Sequence, residues 1–440
     1  MIPTIAIVGR PNTGKSTLFN RILGTKFSIT FDESGTTRDR VFGRVNLNGY
    51  PMIMVDTGGL EFSSEQSDME ADIQKQSMVA IEEADVIMFV VNAAEELTAN
   101  DYAAAKLLRN SGKPVILVAS KCDNIRLEEG AFNLYELGFD KPVKTSAIHN
   151  NGLVDVENAL VKNVKKLGFK SGDKYQERDG VTSSEIRLSF VGKPNVGKSS
   201  LVNRLLGEDR VIVSDTPGTT RDSVSLEFEY NENDFILIDT AGFKRSGKRR
   251  GDWLEKFTVL RSLQSIEQSD IAILTIDASQ GLTKQDMRVS EFVLEARKGL
   301  IIIMNKADLV KPERKNQLLG LLQHKMAYAH FAPVVFTSAL TGTNTLKIFD
   351  IALEIAKERK KKIKTRDLNY FLERTVGKHP PKPGINVKFI EQVDVDPPTF
   401  IIFANKPDNV HFSYRRYIEN ELRKEFGFSG TALDIKWKKK

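Results

Sequence analysis

The stretch Ile5 to Leu23, IAIVGRPNTGKSTLFNRIL, decides the fold of this chain. An apolar run, a turn bearing two glycines and a proline, and apolar residues at helical spacing read as strand, loop and helix. The loop GRPNTGKS has the spacing of a phosphate-binding loop, in which backbone N–H groups and a helix N-terminus face phosphate oxygens. The same scheme returns as GKPNVGKS from Gly192 to Ser199. Gly9 and Gly192, Thr37 and Thr220, and Asp56 and Asp239 are each 183 positions apart, so a whole domain is duplicated.

Each copy carries the parts of a nucleotide site. The cradles are Gly9, Arg10, Pro11, Asn12, Thr13, Gly14, Lys15 and Ser16, and Gly192, Lys193, Pro194, Asn195, Val196, Gly197, Lys198 and Ser199. Lys15 and Lys198 are the cations for the β and γ phosphates, and the Ser16 and Ser199 hydroxyls suit Mg²⁺. Asp56, Thr57, Gly58, Gly59 and Leu60 form DTGGL, and Asp239, Thr240, Ala241, Gly242 and Phe243 form DTAGF. Each aspartate ends an apolar strand, where it can reach the Mg²⁺ shell through water, while Gly59 or Gly242 offers an N–H to the γ phosphate. Thr37 and Thr220, in Gly-Thr-Thr-Arg-Asp segments, are placed to close over Mg²⁺ and the γ phosphate, which would make each copy a switch.

Base choice is read further along. Asn305, Lys306, Ala307 and Asp308 follow an apolar run, so the Asp308 carboxylate can accept from guanine N1–H and its N2 amine, a pairing adenine cannot supply. Lys306 would cover the base, and Ser338 and Ala339 would offer N–H to the guanine oxygen. The first copy has Ser120, Lys121, Cys122 and Asp123, then Ser146 and Ala147. Serine at 120 stands where asparagine is usual, so the brace to the phosphate loop is expected to be shorter, with guanine selectivity kept and affinity reduced. Cys122 reads as a packing residue in preference to a redox sensor. Leu60 and Phe243 occupy the position from which a glutamine often orients water; Arg38 and Arg221 are nearby candidates to supply charge or, equally, structural salt bridges with the aspartates that follow them.

With 440 residues and 40% hydrophobic composition, the chain fits roughly three domains. No run reaches the roughly 20 apolar residues a membrane span needs, the N-terminus shows no leader pattern, and one cysteine cannot make an intrachain disulfide. A soluble, unprocessed, cytoplasmic protein is expected. Net charge is +6, with basic clusters at Lys244 to Arg250, Lys357 to Arg366 and Lys438 to Lys440. These are solvated surface or, beside phosphate chemistry, a contact for a polyanion such as RNA.

Apolar runs at Ile5 to Val8, Met52 to Val55, Val86 to Val91 and Val115 to Ala119 alternate with polar, helix-compatible segments, and Ile186 to Val191, Phe235 to Ile238, Ile271 to Ile276 and Leu300 to Met304 repeat the scheme. This is an α/β pattern with a mostly parallel sheet and helices on both faces. The boundaries read as a first domain at 1–164, a polar linker at 165–185, a second domain at 186–358 and a small α+β domain at 359–440. In the last, Ile385 to Gln392 and Thr399 to Asn405 alternate as strands, Ser413 to Phe426 has helical spacing, and a final strand is expected near Thr431 to Trp437. Gly427-Phe428-Ser429-Gly430 resembles a nucleic-acid clamp but precedes the last strand, so it reads as a turn.

Tandem PNxGKS loops, GTTRD segments, DTxG followed by an apolar residue, and a C-terminal region with HPP, PPTF, NKP and RRYIENELRKEF together resemble the bacterial double-domain GTPases of the Der (EngA) family, in the Era/TrmE-like group. The resemblance covers nearly the whole chain. It implies two tandem P-loop GTPase domains plus a C-terminal KH-like domain, GTP/GDP and Mg²⁺ as ligands, and GTP hydrolysis during assembly of the large (50S) ribosomal subunit. The 50S particle and ribosomal RNA are then the partners, without membrane contact, and a monomer is expected. It also implies K⁺ held partly by Asn12 and Asn195, although those asparagines could equally brace their loops; Phe31 to Ser34 depart from the second copy and weaken the inference for Asn12. Two rivals remain: a GTPase subunit of tRNA modification, which would commonly end in a catalytic cysteine absent here, and a non-enzymatic RNA adaptor.

Overall fold

The computed structural model describes residues 2–24, 42–57, 81–123, 130–171, 185–208, 210–213, 225–239 and 261–439. They fall into two compact units, one containing the described residues up to 171 and the other those from 185 onward.

The first unit is a six-stranded sheet built from β1 (Thr4–Val8), β2 (Phe42–Leu47), β3 (Tyr50–Asp56), β4 (Val86–Asn92), β5 (Val115–Ser120) and β6 (Val143–Lys144), in the order β2-β3-β1-β4-β5-β6. β1 runs parallel to β3 and β4, and β4 to β5. A parallel sheet is covered on both faces, which is why these strands are continuous apolar runs and every residue of β4 is buried. Alternation divides them: Ile5, Ile7 and Met88 pack against Phe19 of the helix Lys15–Gly24 and Leu160 of Leu153–Lys166. Ala6, Val8 and Phe89 meet Ala104 and Leu108 of Ala99–Asn110 on the other face. The antiparallel strand β2 was not anticipated, although Asn48-Gly49 between Leu47 and Tyr50, both in positive φ (49° and 84°), is a strong hairpin signal.

The second unit repeats this plan with β7 (Ile186–Val191), β8 (Val211–Val213), β9 (Leu226–Tyr230), β10 (Asn233–Leu237), β11 (Ile271–Asp277), β12 (Gly299–Asn305) and β13 (Val334–Phe336), ordered β13-β12-β11-β7-β10-β9-β8. Here Phe349 closes an aromatic cluster, its ring centre 5.0 Å from Phe228, 5.2 Å from Tyr230 and 5.5 Å from Phe235. Burying such a ring stabilises the fold by about 1.5–3 kcal/mol.

The same unit contains the small α+β domain. Its three-stranded sheet, β14 (Val387–Asp394), β15 (Thr399–Ala404) and β16 (Asp434–Lys439), carries the helices Thr365–Lys378 and Phe412–Phe426 around a core of Leu368, Phe371, Ile390, Phe400, Ile418 and Phe428. β16 starts later than expected because Thr431 pairs with Gly299 of the neighbouring sheet. Gly427 to Gly430 is a turn, and it docks: the Leu300 N–H donates to the Gly430 carbonyl at 2.8 Å and the Gly430 N–H to Phe331 O at 2.9 Å. Gly430 is at φ 68°, and a Cβ there would lie 2.3 Å from Cδ1 of Ile355, so only glycine fits. Around the turn the Arg359 Nε donates to Asp396 at 2.7 Å, Arg297 pairs with Asp434 at 2.9 Å, and the Arg423 guanidinium lies 3.9 Å from the centre of the Phe331 ring. Arg359 and Lys361, read from sequence as part of a basic cluster, are therefore engaged internally; Lys361 donates to Glu358 and to Phe426 O, whereas Lys360, Lys362, Lys364 and Arg366 are exposed.

Candidate nucleotide sites

Each phosphate loop joins a central strand to a helix, β1 to Lys15–Gly24 and β7 to Lys198–Leu206. The loops need glycine where they pass the next strand: a Cβ on Gly9 (φ 152°) would lie 2.2 Å from Val90 O, and one on Gly192 (φ 134°) 2.3 Å from Thr275 O. Asn12 and Asn195 adopt φ of 63° and 64°, the left-handed region that asparagine tolerates better than most residues. The two loops thus share one backbone path.

The loop lysines are drawn inward. The Lys15 Nζ donates to Arg10 O at 2.5 Å, and the Lys198 Nζ to Gly192 O at 2.7 Å and Lys193 O at 2.5 Å. Burial pushes both ammonium groups down to about 8, with Asp56 opposing the shift for Lys15 and Asp286 for Lys198. A desolvated ammonium at a helix N-terminus is a strong partner for phosphate oxygens. Asp56 is buried at the end of β3, next in sequence to Thr57, whose Oγ1 donates to Ile7 O at 2.7 Å. Asp239, past the end of β10, accepts from Ser265 Oγ at 3.3 Å. Ser16 and Ser199 are the second residues of their helices. Among the described residues no cluster of three or more His, Cys, Asp or Glu could hold a metal by itself. One carboxylate and one hydroxyl per copy fit Mg²⁺, which takes the rest of its shell from phosphate and water.

The loops expected to read the base differ between copies. Asn305, at the end of β12, spans two loops: its Nδ2 donates to Val196 O at 2.9 Å, and its Oδ1 accepts from the Ala339 N–H at 3.2 Å. Ser120, at the end of β5, still reaches its phosphate loop, donating to Thr13 O at 2.6 Å, with Val91 O at 3.0 Å. The shorter side chain thus still braces the phosphate loop, and its two partners do not include the loop carrying Ala147. Asp123 accepts from Ser146 Oγ at 2.5 Å, which fixes one carboxylate oxygen. Asp308 lies exposed in the turn Ala307–Leu309. Lys121 and Lys306 both hold positive φ, 60° and 59°. The Lys306 Nζ bridges Asn195 O at 3.0 Å and Asp277 at 2.6 Å. Ala147 and Ser338 lie in the corresponding loops after β6 and β13, where Ser338 Oγ accepts from the Thr341 N–H at 3.2 Å. Cys122 is buried in the first-unit core, its Sγ 3.4 Å from Ala119 O, in keeping with packing.

Thr37, Arg38, Gly58, Gly59, Leu60, Thr220, Arg221, Thr240, Ala241, Gly242, Phe243 and Phe31 to Ser34 lie outside the described residues, as does the Lys244 to Arg250 cluster. The structure adds partners that sequence reasoning passed over. Asp101 at 2.8 Å and Glu95 at 3.4 Å pair with Arg10 of the first cradle. Asp277 holds Lys306. Thr98-x-x-Asp101 and Thr283-x-x-Asp286 are capping boxes at two helix starts, and their repetition was a legible signal.

The family model described as 50S ribosome-binding GTPase matches residues 4–121 and again 187–306, and the model for the C-terminal KH-domain-like region of EngA bacterial GTPase enzymes matches 362–438. GTPase Der of Thermomicrobium roseum is 42% identical over 99% of this chain and 95% of its own length. The chain belongs to the GTPase Der family. A second member, from Clostridium kluyveri, is 41% identical over 100% of this chain and 99% of its own. Among solved structures, Era from Aquifex aeolicus bound to GDP and AlF4⁻ is 22% identical over 58% of this chain and 93% of that one, with a TM-score of 0.31. Like the family, the chain is a guanine-nucleotide-binding enzyme that hydrolyses GTP, with two GTPase domains and a KH-like domain.

Proposed function

We propose that this GTPase acts in assembly of the 50S ribosomal subunit, with GTP state controlling contact with ribosomal RNA. The observation that carries the reading is one compact unit joining a GTPase domain to a KH-like domain whose connecting segment presents Lys360, Lys362, Lys364 and Arg366 to solvent. Exposed cations beside a KH-like fold suit a phosphate backbone, and the family description names the 50S ribosome. Domains at 1–164, 186–358 and 359–440 with a linker at 165–185, a cytoplasmic monomer and no membrane contact belong to this reading. Among the described residues no helix is long and apolar enough to cross a membrane.

Within each site, Lys15 and Lys198 bind phosphate. Ser16, Thr37, Asp56, Ser199, Thr220 and Asp239 serve Mg²⁺, which offsets phosphate charge when bound. Gly59 and Gly242 serve the γ phosphate, and Asp123 and Asp308 read guanine. Asn12 and Asn195 assist K⁺, which would supply the cation that Leu60 and Phe243 cannot. Two measurements test the whole: GTP turnover rises in KCl over NaCl, and sedimentation with 50S particles weakens with added salt and on replacing Lys360, Lys362 and Lys364 by alanine. Equal turnover in the two salts removes the K⁺ role, and salt-insensitive sedimentation removes the polyanion contact.

A further inference from the structure

Arg10 is the second residue of the first phosphate loop, and its guanidinium reaches out of that loop to the start of the helix Ala99–Asn110. Its Nε donates to Asp101 Oδ1 at 2.8 Å, and the Asp101 side chain is 1% exposed. The other oxygen, Oδ2, accepts from the Thr98 N–H at 2.9 Å and from Thr98 Oγ1 at 2.8 Å. Both oxygens of this carboxylate are therefore used. At the other end, the Arg10 carbonyl accepts from Thr13 Oγ1 at 2.9 Å and from the Lys15 Nζ at 2.5 Å. One hydrogen-bonded chain thus runs from the helix cap through the loop to the phosphate lysine.

The second unit keeps the frame and changes the tie. Lys193 stands where the first loop has Arg10, Gln280 replaces Glu95, and Thr283 and Asp286 repeat Thr98 and Asp101. Asp286 Oδ2 accepts from the Thr283 N–H at 2.9 Å and Oγ1 at 2.6 Å. Its Oδ1 is buried with no hydrogen-bond partner, in a residue 2% exposed. Burial raises the carboxyl above its ordinary range, opposed by the Thr283 hydrogen bonds and, less strongly, by Lys193 and Lys198, so both cations lie within electrostatic reach. Lysine lacks the side-facing Nε–H that Arg10 uses and ends in a strongly hydrated point charge. The equivalent oxygen is left unmatched.

We infer that Arg10 is a positioning residue: through Asp101 it holds the first phosphate loop in its binding shape, and lysine at 193 leaves the second loop without that tie. Where the tie is present, release of guanosine diphosphate is slowed. The inference rests on the two loops being the nucleotide sites. The test uses the full chain loaded with mant-GDP, the first site read in a Lys198→Ala background and the second in a Lys15→Ala background. Arg10→Lys speeds first-site release about 10-fold, the order expected for a buried charged hydrogen bond. Combining it with Asp101→Asn adds little, because both remove the same contact. Lys193→Arg slows second-site release, and Asp286→Asn in the same chain cancels the gain. A merely structural bridge would move the melting temperature of the nucleotide-free chain while leaving release rates alone, and that result overturns the inference. So does a Lys193→Arg chain that releases at the parent rate. Should Asp101→Asn fail to fold for want of its helix cap, Arg10→Lys and Lys193→Arg still decide. Absence of mant-GDP binding even in the unmodified chain would instead remove the site assignment beneath it.

Discussion

The two GTPase units share a fold and nearly a motif set, yet they stiffen different sides of the nucleotide site. In the second unit Asn305 ties the loop at Val196 to the loop at Ala339, so the proposed phosphate and guanine ends of the site share one bracket. In the first, Ser120 reaches only the loop at Thr13 and the adjacent strand, and the phosphate loop is secured instead by Arg10 against Asp101. The two copies are thus tied differently: one by a bracket joining both loops, the other by separate contacts, Arg10 with Asp101 at the phosphate loop and Ser146 with Asp123 at the base side.

The comparison is broken most severely by removing the shared element. Lys15→Ala and Lys198→Ala should each lower nucleotide affinity at their own site by about 100-fold or more, since each removes the desolvated cation proposed to face phosphate. Titration calorimetry with GDP would then see one class of site lost in each variant; loss of both from a single substitution would deny that the units bind separately. A sharper and smaller test exchanges the brackets. Asn305→Ser should weaken second-site GDP binding about 10-fold, because the Ala339 N–H and Val196 carbonyl lose their common partner. Ser120→Asn should strengthen the first site more modestly, and no change in either variant would remove the bracket's role.

The smallest effect is on protons. Lys15 and Lys198 titrate at about 8 in the folded chain, below the ordinary lysine value of about 10.4. Between those values the unfolded chain binds more protons, so these groups make stability rise with pH there, and they cost stability below about pH 8. Phosphate favours the ammonium. Nucleotide binding should therefore take up protons above about pH 8 and weaken as pH rises further. Calorimetry at pH 9 in two buffers of different ionisation heat should give different apparent enthalpies; identical values would show that neither lysine is neutral there.

Much of this was legible before the fold was known, because the proposed phosphate loops and base-reading aspartates are local strings whose spacing along the chain can be read directly. The parallel strands β1, β4, β5, β11 and β12 were equally plain as unbroken apolar runs. What stayed hidden depends on distance. Arg10 meets Asp101 across most of the first unit, and no pattern around either residue announces the other. Gly430 reads as a turn in isolation, and only the approach of Leu300 and Phe331 gives it a partner. The basic cluster at 357–366 misled in part for the same reason: charge along a sequence does not say which guanidinium turns inward, as Arg359 does.

The Gly430 seam has a practical consequence. Its carbonyl takes the N–H of Leu300 at the margin of β12, beside the line along which β13 begins, so the KH-like domain supplies backbone that the neighbouring sheet would otherwise lack. A polypeptide severed after residue 358 would leave that amide unanswered, strip the guanidinium from the face of Phe331 and bare a sheet margin to pairing with other molecules. Such a fragment should be prone to self-association, and its turnover would be a poor guide to the second GTPase domain as it works in the intact chain.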